Sequence, residues 1–205
     1  MPDDSNRTDL SQHLIHFTKS NGAEDAFAVL LRILRDGKLR GGAGFVRGGI
    51  PCVSFTEAPF DVLTAGFTGL NGCSRYSSLG LRFTKSYIFH AGGRPVIYQP
   101  ETDFAHLPPA MRWRHVRFEP LNDPPIDWMW EREWRLPYAE FPFTEKDVEI
   151  VLPDAETERR FVNAIEHDSF QHAWELTQVL GDVAWLYRSP SQWRVLRPKP
   201  TTATA

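Results

Sequence analysis

The stretch of this sequence that most restricts its fold is Trp-Met-Trp-Glu-Arg-Glu-Trp-Arg-Leu, at positions 128–136. Successive side chains of a β-strand point to opposite faces. We therefore predict a strand with two carboxylates and a guanidinium on one face, those of Glu131, Glu133 and Arg135. Its other face is largely apolar and suits a core, with Trp130, Trp134 and Leu136.

Two carboxylates held this close on one strand face share one electrostatic environment, and a guanidinium beside them favours the ionised form of at least one. An active site can be built on such an arrangement. The spacing alone equally allows a solvent-exposed strand face with a surface ion pair. The choice between these interpretations depends on other segments of the chain.

Three other segments place polar residues beside an apolar stripe. The first is His-Phe-Thr at positions 16–18, which directly follows an apolar pair. The second, at positions 51–60, reads as a short strand and a turn, and the third spans positions 75–85. These segments favour a polar site assembled from several parts of the chain over an isolated ion pair.

Length and composition favour one globular domain. A chain of 205 residues, 41% of them hydrophobic, can bury a single good core. We expect a flexible N-terminus at positions 1–12, one domain at 13–197 and a disordered tail at 198–205. No apolar run approaches the roughly 20 residues that a membrane span needs, and the polar first residues are unlike a secretory signal. The sequence therefore predicts a cytoplasmic protein that does not contact a membrane.

Cysteine spacing and net charge argue against two classes of protein. Cys52 and Cys73 lack the paired spacing of structural zinc sites, so we expect free thiols and no metal. The formal net charge of −3 argues against a protein that coats nucleic acid by charge alone. A local groove is still allowed, because basic and aromatic residues alternate at positions 111–118 as they do in single-strand grooves. A basic strand edge that prevents aggregation is the ordinary explanation of that segment.

The order of the predicted elements indicates a mixed α+β fold. A helix at positions 24–36 is followed by Gly37, a usual C-cap residue, and then by many short strands. The predicted strands cover positions 51–55, 79–83, 95–99, 148–152 and a terminal hairpin of 183–187 and 192–196. Two further helices are predicted at about 155–166, capped by Asp154, and at 170–180. Helices and strands do not alternate regularly, which favours α+β over a doubly wound sheet.

Five motifs, taken in chain order, resemble those of one protein family. They are His-x-Thr at 16–18, Leu-x-x-Gly at 34–37, Val-Ser-Phe-Thr-Glu-x-Pro at 53–59, Tyr-x-x-x-Gly-Leu-x-Phe-x-Lys at 76–85 and Trp-Glu-x-Glu-Trp-Arg at 130–135. Over roughly residues 13–155 the chain resembles the bacterial abortive-infection AbiGi proteins and, more distantly, DarT-type ADP-ribosyltransferases. The Glu-x-Glu-Trp-Arg element is the most specific part of this resemblance.

The resemblance implies an ADP-ribosyltransferase-like fold, in which two small antiparallel sheets pack at a steep angle, with flanking helices, and NAD binds in the cleft between them. His16 would hydrogen-bond the adenosine ribose, Thr18 would line the nicotinamide side, and Tyr76 would form a wall against nicotinamide. Arg75 and Lys85 are the alternatives to Tyr76 as the functional group of the middle motif.

The last motif implies two catalytic carboxylates. Cleavage of the bond between nicotinamide and ribose builds positive charge on the ribose ring, and a carboxylate on a ribose hydroxyl stabilises that charge more than the ground state. Glu133 would do this, and Glu131 would orient the acceptor or take its proton. Arg135 would contact a phosphate of NAD or hold Glu131 in place.

The function implied by the resemblance is that of a phage-defence or toxin-type ADP-ribosyltransferase, which uses NAD to modify an unknown nucleic-acid or protein acceptor. AbiGi proteins are described as the antitoxin member of a defence pair. The alternative is therefore a non-catalytic member of the same fold that binds a cognate toxin or another partner in an abortive-infection system. A metal-dependent nuclease would need more clustered Asp and His residues than this sequence contains.

Overall fold

The computed structural model describes residues 11–44, 46–59, 77–180 and 193–196, with the backbone alone at 169, 170 and 172–180. In these residues the chain forms the helices α1 (Ala26–Asp36), α2 (Lys85–His90) and α3 (Ala155–Leu180). Its strands are β1 (His13–Phe17), β2 (Lys38–Arg40), β3 (Val53–Thr56), β4 (Gly80–Thr84), β5 (Arg94–Pro95), β6 (Ile97–Gln99), β7 (His115–Arg117), β8 (Glu133–Leu136), β9 (Glu140–Pro142), β10 (Val148–Val151) and β11 (Arg194–Leu196). Short 3-10 turns lie at Arg47–Gly49, Glu101–His106, Pro109–Arg114 and Met129–Glu131.

Local sequence explains where α1 begins and ends. The Asp25 carboxylate accepts a hydrogen bond from the backbone N–H of Ala28 at 2.7 Å and so caps the first turn. Gly37 adopts the left-handed conformation that ends many helices, with φ 61°. The buried face of α1 is apolar: Phe27, Val29, Leu30, Ile33 and Leu34. The helix predicted at positions 24–36 is therefore confirmed, except that it begins two residues later, at Ala26.

Seven strands of the described residues form one sheet, in the order β11-β10-β4-β1-β3-β8-β5. Neighbouring strands are antiparallel except for β10 and β11, which are parallel. Two smaller pairs are formed by β2 with β9, antiparallel, and by β6 with β7, parallel. A mainly antiparallel sheet accompanied by a few helices confirms the predicted α+β class.

The large sheet is nearly divided between β1 and β3. Strand β1 pairs with β4 over five residues, and β3 pairs with β8 over four. The register between β1 and β3, both of them fully described, contains one residue pair, Ile15 opposite Thr56. The sheet therefore consists of a four-stranded part (β11-β10-β4-β1) and a three-stranded part (β3-β8-β5), which separate beyond this pair.

The hydrophobic core lies against one face of the sheet. Residues opposite each other in the register bury their side chains together there: Leu14 with Phe83 and Val148, Phe55 with Trp134, and Val53 with Leu136. Helix α1 and Phe161 of α3 pack on the same cluster. Each fully buried side chain of this size stabilises the fold by roughly 1.5–3 kcal/mol.

The strand predicted across positions 128–136 is shorter than its alternating pattern indicates. Strand β8 begins only at Glu133, after a 3-10 turn and after Arg132, whose φ of 42° breaks the extended conformation. The carbonyl oxygen of Glu131 accepts a hydrogen bond from Thr56 Oγ1 at 2.6 Å, which ties the turn to the end of β3. The prediction that Glu131 shares a strand face with Glu133 is therefore wrong.

Helices α2 and α3 also differ from the prediction. Helix α2 was not predicted, and it begins because Thr84 Oγ1 accepts a hydrogen bond from the N–H of Tyr87 at 3.3 Å. The two helices predicted at 155–166 and 170–180 are one helix, α3, since no Gly or Pro interrupts its 26 residues. The Asp154 carboxylate caps α3 as predicted, because it accepts a hydrogen bond from the backbone N–H of Thr157 at 2.7 Å.

Two strand predictions need correction or completion. The strand predicted at 95–99 is split into β5 and β6, which pair with β8 and β7, respectively. Strand β11 pairs in parallel with β10, whereas the other half of the predicted hairpin, at 183–187, lies outside the described residues. Within the part of the chain that the structure describes, no helix is both long and apolar enough to cross a membrane.

Candidate functional site

A cleft of about 1060 Å³ opens where β1 and β3 separate. It is lined by the end of β1, by β3 and by the start of β8, with further side chains from α1, β2, β7 and the turn before β8. Five residues that the sequence singled out line the cleft: His16, Thr18, Glu131, Glu133 and Arg135. Tyr76 and its alternative Arg75 lie outside the described residues. The cleft thus unites the first motif of the sequence with the last.

Glu133 stands at the start of β8 with its carboxylate held from two directions. Ser54 Oγ donates a hydrogen bond to its Oε1 at 2.7 Å. Arg135 donates from Nε to Oε1 at 2.8 Å and from Nη2 to Oε2 at 3.1 Å. Such two-pronged, charge-assisted contacts are strong and directional. The carboxylate, 12% exposed, is therefore fixed in position at the wall of the cleft.

Arg135 is almost completely buried, with 6% of its side chain exposed. Its Nη1 donates to the carbonyl oxygens of Trp113 at 2.8 Å and His115 at 3.1 Å. Together with the two contacts to Glu133, these hydrogen bonds use four of the five guanidinium N–H groups. The observed carboxylate partner of Arg135 is Glu133, where the sequence had suggested Glu131.

His16 lies one residue beyond the pair that joins the two parts of the sheet. Its Nδ1 is 2.8 Å from the carbonyl oxygen of Ser54, so Nδ1 carries the proton of the neutral ring. Burial lowers the pKa of His16, and the hydrogen bond to Ser54 opposes this with a smaller effect. The ring is therefore neutral at pH 7. Its Nε2 can accept a hydrogen bond and has no partner among the described residues.

The lowered pKa of His16 predicts a loss of stability on acidification. The unfolded chain binds a proton at the ordinary His value of 6.5, whereas the folded protein resists protonation. The contribution of His16 to stability is therefore fully present above about pH 6.5. It falls as the pH is lowered from there towards the pKa of His16 in the folded protein. Urea unfolding of the wild type and of His16→Asn between pH 8 and pH 5 would measure this, and the variant should show the shallower decrease.

A second histidine contributes to the same pH dependence, because burial and the charge of Arg82 also lower the pKa of His13. His16→Asn should therefore reduce the pH dependence and His13 should account for part of the remainder. Identical pH dependence in the wild type and His16→Asn would contradict the assignment.

Thr18 is buried, with 2% exposure, just beyond the end of β1. Its hydroxyl donates to the carbonyl oxygen of Leu79 at 3.1 Å and lies 3.2 Å from Ser77 Oγ. The N–H of Thr18 also donates to Leu79, at 2.8 Å. These contacts hold the end of β1 against the chain that enters β4. The Thr18 hydroxyl is thus used within the protein, and its contact with nicotinamide stays a prediction.

The turn before β8 supplies another part of the cleft wall. Trp128, Trp130 and Glu131 line the cleft, and all three are partly buried. The two indole rings contact each other at a tilt, with centroids 6.4 Å apart. Glu131 therefore lies in the same cleft as Glu133, although the two do not share a strand face.

Sequence reasoning did not assign four basic residues of the cleft wall to this site, although one of them, Arg117, belongs to the segment 111–118 that it singled out. They form ion pairs with acidic residues: Lys38 with Glu140 at 2.8 Å, Arg40 with Asp36 at 3.1 Å, Arg47 with Glu101 at 2.6 Å and Arg117 with Glu119 at 2.6 Å. The side chains of the three arginines are 60%, 46% and 45% exposed. Their carboxylate partners are less exposed, at 26% for Asp36, 38% for Glu101 and 19% for Glu119, so the accessible groups at this wall of the cleft are the guanidiniums.

Ser54 and Tyr98 were also missed as site residues. The Tyr98 hydroxyl accepts a hydrogen bond from the backbone N–H of Glu133 at 3.1 Å. Burial raises the pKa of Tyr98 to about 12, and the charges of Glu133 and Glu131 act in the same direction. The alternation of Val53-Ser54-Phe55 could have pointed to Ser54, because β3 buries both apolar neighbours. No local signal marks Tyr98.

Thiolate chemistry does not fit the cleft. Cys52 lines it, and burial raises the pKa of the Cys52 thiol to about 11. The thiol is therefore protonated at neutral pH and is a poor nucleophile. Among the residues that the structure describes, no three His, Cys, Asp or Glu side chains are grouped so that they could hold a metal ion.

The basic and aromatic segment at 111–118 is divided between packing and the cleft, because Trp113 and Arg114 pack against the protein whereas Arg117 lines the cleft. Trp113 is 7% exposed, and its indole N–H donates to the carbonyl oxygen of Ala110 at 2.8 Å. Arg114 Nε donates to the carbonyl oxygen of Pro95 at 2.9 Å. A nucleic-acid base could not stack on the face of a tryptophan buried in this way.

The cleft thus combines a fixed carboxylate, a neutral imidazole, a hydroxyl, aromatic rings and exposed cations. Comparisons of the chain with protein-family models, with curated proteins and with solved structures found no significant match.

Proposed function

We propose that the cleft binds NAD and that the chain is an ADP-ribosyltransferase of the phage-defence or toxin type, which acts in the cytoplasm. One observation carries the proposal: His16 from the first motif and Glu133 from the last meet at one residue, Ser54. The imidazole contacts the Ser54 carbonyl oxygen at 2.8 Å, and the carboxylate accepts from the Ser54 hydroxyl at 2.7 Å. The two groups expected to hold the donor therefore flank the same opening in the sheet.

The division of the sheet supports an ADP-ribosyltransferase-like architecture. The pair of antiparallel sheets in such a fold would correspond to the four-stranded part, which is antiparallel apart from β10 with β11, and to the three-stranded part. Ligand pockets usually measure roughly 300–1,000 Å³. A cleft of about 1060 Å³ is therefore large enough for an extended ligand such as a dinucleotide.

The side chains of the cleft suit the separate parts of NAD. Nε2 of the neutral His16 would accept a hydrogen bond from a ribose hydroxyl. The exposed arginines Arg40, Arg47 and Arg117 would pair with the pyrophosphate. The rings of Trp128 and Trp130 offer apolar surfaces for nicotinamide or adenine.

The proposed chemistry follows from the fixed position of Glu133. Nicotinamide leaves with the electron pair of its bond to ribose, and the ribose ring acquires positive charge. The Glu133 carboxylate, hydrogen-bonded to a ribose hydroxyl, would stabilise this charge. Glu131, on the adjoining turn of the same cleft, would orient a nucleic-acid or protein acceptor or take its proton.

One observation favours a second candidate function. Both carboxylate oxygens of Glu133 already accept hydrogen bonds, as they would in a purely structural ion pair. A non-catalytic member of the same fold, which acts as an antitoxin or binds another partner, would also keep this pair. NAD turnover separates the two candidates.

NAD is expected to raise the melting temperature of the wild-type protein. A ligand at about 100 times its Kd stabilises the folded state by roughly 2.7 kcal/mol, which corresponds to about 5–10 °C for a domain of this size. His16→Ala removes the ribose acceptor, a hydrogen bond worth roughly 1 kcal/mol, and should clearly reduce the shift in a protein that still folds. Thermal unfolding followed by circular dichroism, with and without millimolar NAD, measures both effects.

His13→Ala is the matched control, because His13 lies on the same strand but does not line the cleft. It should keep the full shift. Wild-type protein without any shift at millimolar NAD would contradict the proposed binding. A shift without release of nicotinamide, even with candidate acceptors present, would select the non-catalytic candidate.

A further inference from the structure

We propose that the β6–β7 pair positions Glu133 for catalysis, through Arg135 and Tyr98. Arg135 then acts as a positioning residue and not as the phosphate ligand expected from the sequence. This inference rests on the proposed function, since it assigns the groups that hold the carboxylate of the same site.

The hydrogen bonds of Arg135 support a positioning role. One side of the guanidinium meets both oxygens of Glu133, and Nη1 donates to two backbone carbonyls where the chain enters β7. With one N–H group left and 6% of the side chain exposed, Arg135 has little capacity to bind a phosphate. Its contacts connect the carboxylate to the backbone of another sheet.

Tyr98 provides a second connection from the same small sheet. It lies on β6, and its hydroxyl accepts the hydrogen bond of the Glu133 backbone N–H at 3.1 Å. The side chain of Glu133 is thus fixed through β7, and its backbone is fixed through β6. Since β6 and β7 pair over three residues, the two contacts depend on one unit of structure.

Such a support matters for catalysis because a carboxylate stabilises charge on ribose only at the correct distance. A misplacement of about 1 Å can reduce turnover by roughly 100-fold. Lys in place of Arg135 would keep a positive charge but could not bond both carboxylate oxygens and both carbonyls at once. Turnover should therefore depend on the shape of the guanidinium as well as on its charge.

The test compares Arg135→Lys and Tyr98→Phe with the wild type in NAD hydrolysis and NAD binding. We expect kcat to fall by about 10-fold or more in Arg135→Lys and by a smaller factor in Tyr98→Phe. KM and the melting-temperature shift caused by NAD should change little, because neither side chain is assigned a contact with NAD. Arg82→Lys is the matched control, because Arg82 is a strand arginine in an ion pair with Glu149 that does not line the cleft. It should keep wild-type kcat.

If a folded variant has the kcat of the wild type, the substituted residue does not position Glu133. An equal loss of kcat in Arg82→Lys would attribute the effect to general destabilisation and overturn the proposal. If Arg135→Lys does not fold, Tyr98→Phe decides alone, since it removes one hydroxyl and keeps the ring. A wild-type protein that neither binds nor hydrolyses NAD would instead refute the proposed function, and the positioning role with it.

Discussion

Replacement of Glu133 by Gln is expected to reduce NAD hydrolysis by about 100-fold or more. Gln keeps the shape of the side chain and an oxygen that can accept from Ser54, but it carries no negative charge to stabilise the developing charge on ribose. The NAD-induced shift in melting temperature should persist, because the His16 contact and the basic wall are unchanged. Release of nicotinamide and thermal unfolding, measured on the same samples, check both expectations.

The variant will also lose stability, since the buried Arg135 guanidinium loses its counter-charge. Turnover must therefore be compared at a temperature at which circular dichroism shows both proteins to be folded. Glu149→Gln is the matched control: Glu149 is a partly buried strand carboxylate paired with Arg82, and it does not line the cleft. If Glu133→Gln hydrolyses NAD at the wild-type rate, Glu133 is not the catalytic carboxylate and its pair with Arg135 is structural.

Trp134→Ala is expected to lower the free energy of unfolding by about 3–5 kcal/mol, as truncation of a large core side chain does. Trp134 is 7% exposed and lies opposite Phe55 in the register between β3 and β8. Its indole N–H also donates to the Glu57 carboxylate at 2.7 Å, while Lys85 pairs with the other oxygen of Glu57 at 2.5 Å. Urea unfolding of the two proteins gives the difference.

Two further variants calibrate this measurement. Trp134→Phe fills most of the volume, so its cost should lie well below that of Trp134→Ala. The remaining cost comes from Glu57, which loses the hydrogen bond of the indole N–H. Met129→Ala, at a side chain that is 50% exposed, should change the stability by less than about 0.5 kcal/mol. A cost for Trp134→Ala as small as that of Met129→Ala would refute the core assignment.

The sequence contained enough local information to locate the main elements of the fold. Helix α1 was predicted with its C-cap because an apolar stripe and Gly37 act over a few neighbouring residues. The alternation at Trp134, Arg135 and Leu136 correctly assigned the two faces of β8, with Trp134 and Leu136 in the core. The same pattern failed at Trp130 and Glu131, which lie on the turn before β8 and line the cleft, because alternation does not reveal where a strand ends.

The site itself depends on contacts between distant parts of the chain. Ser54 meets Glu133 across 79 positions, Tyr98 meets it across 35, and Arg135 reaches Trp113 across 22. A local sequence pattern does not show contacts between residues this far apart in the chain. For this reason Ser54 and Tyr98 were missed, and Arg135 was predicted to bind a phosphate.

The sequence by itself therefore determined the α+β class, the core face of β8 and the identity of the charged residues available for chemistry. The tertiary structure decided where β1 and β3 separate, which carboxylate Arg135 holds, and that Glu131 reaches the cleft from a turn. The physical reason is the sequence separation over which each kind of interaction acts. Helix caps and side-chain periodicity act over a few residues, whereas the pairing of strands and the closing of hydrogen bonds between them depend on how the whole chain packs.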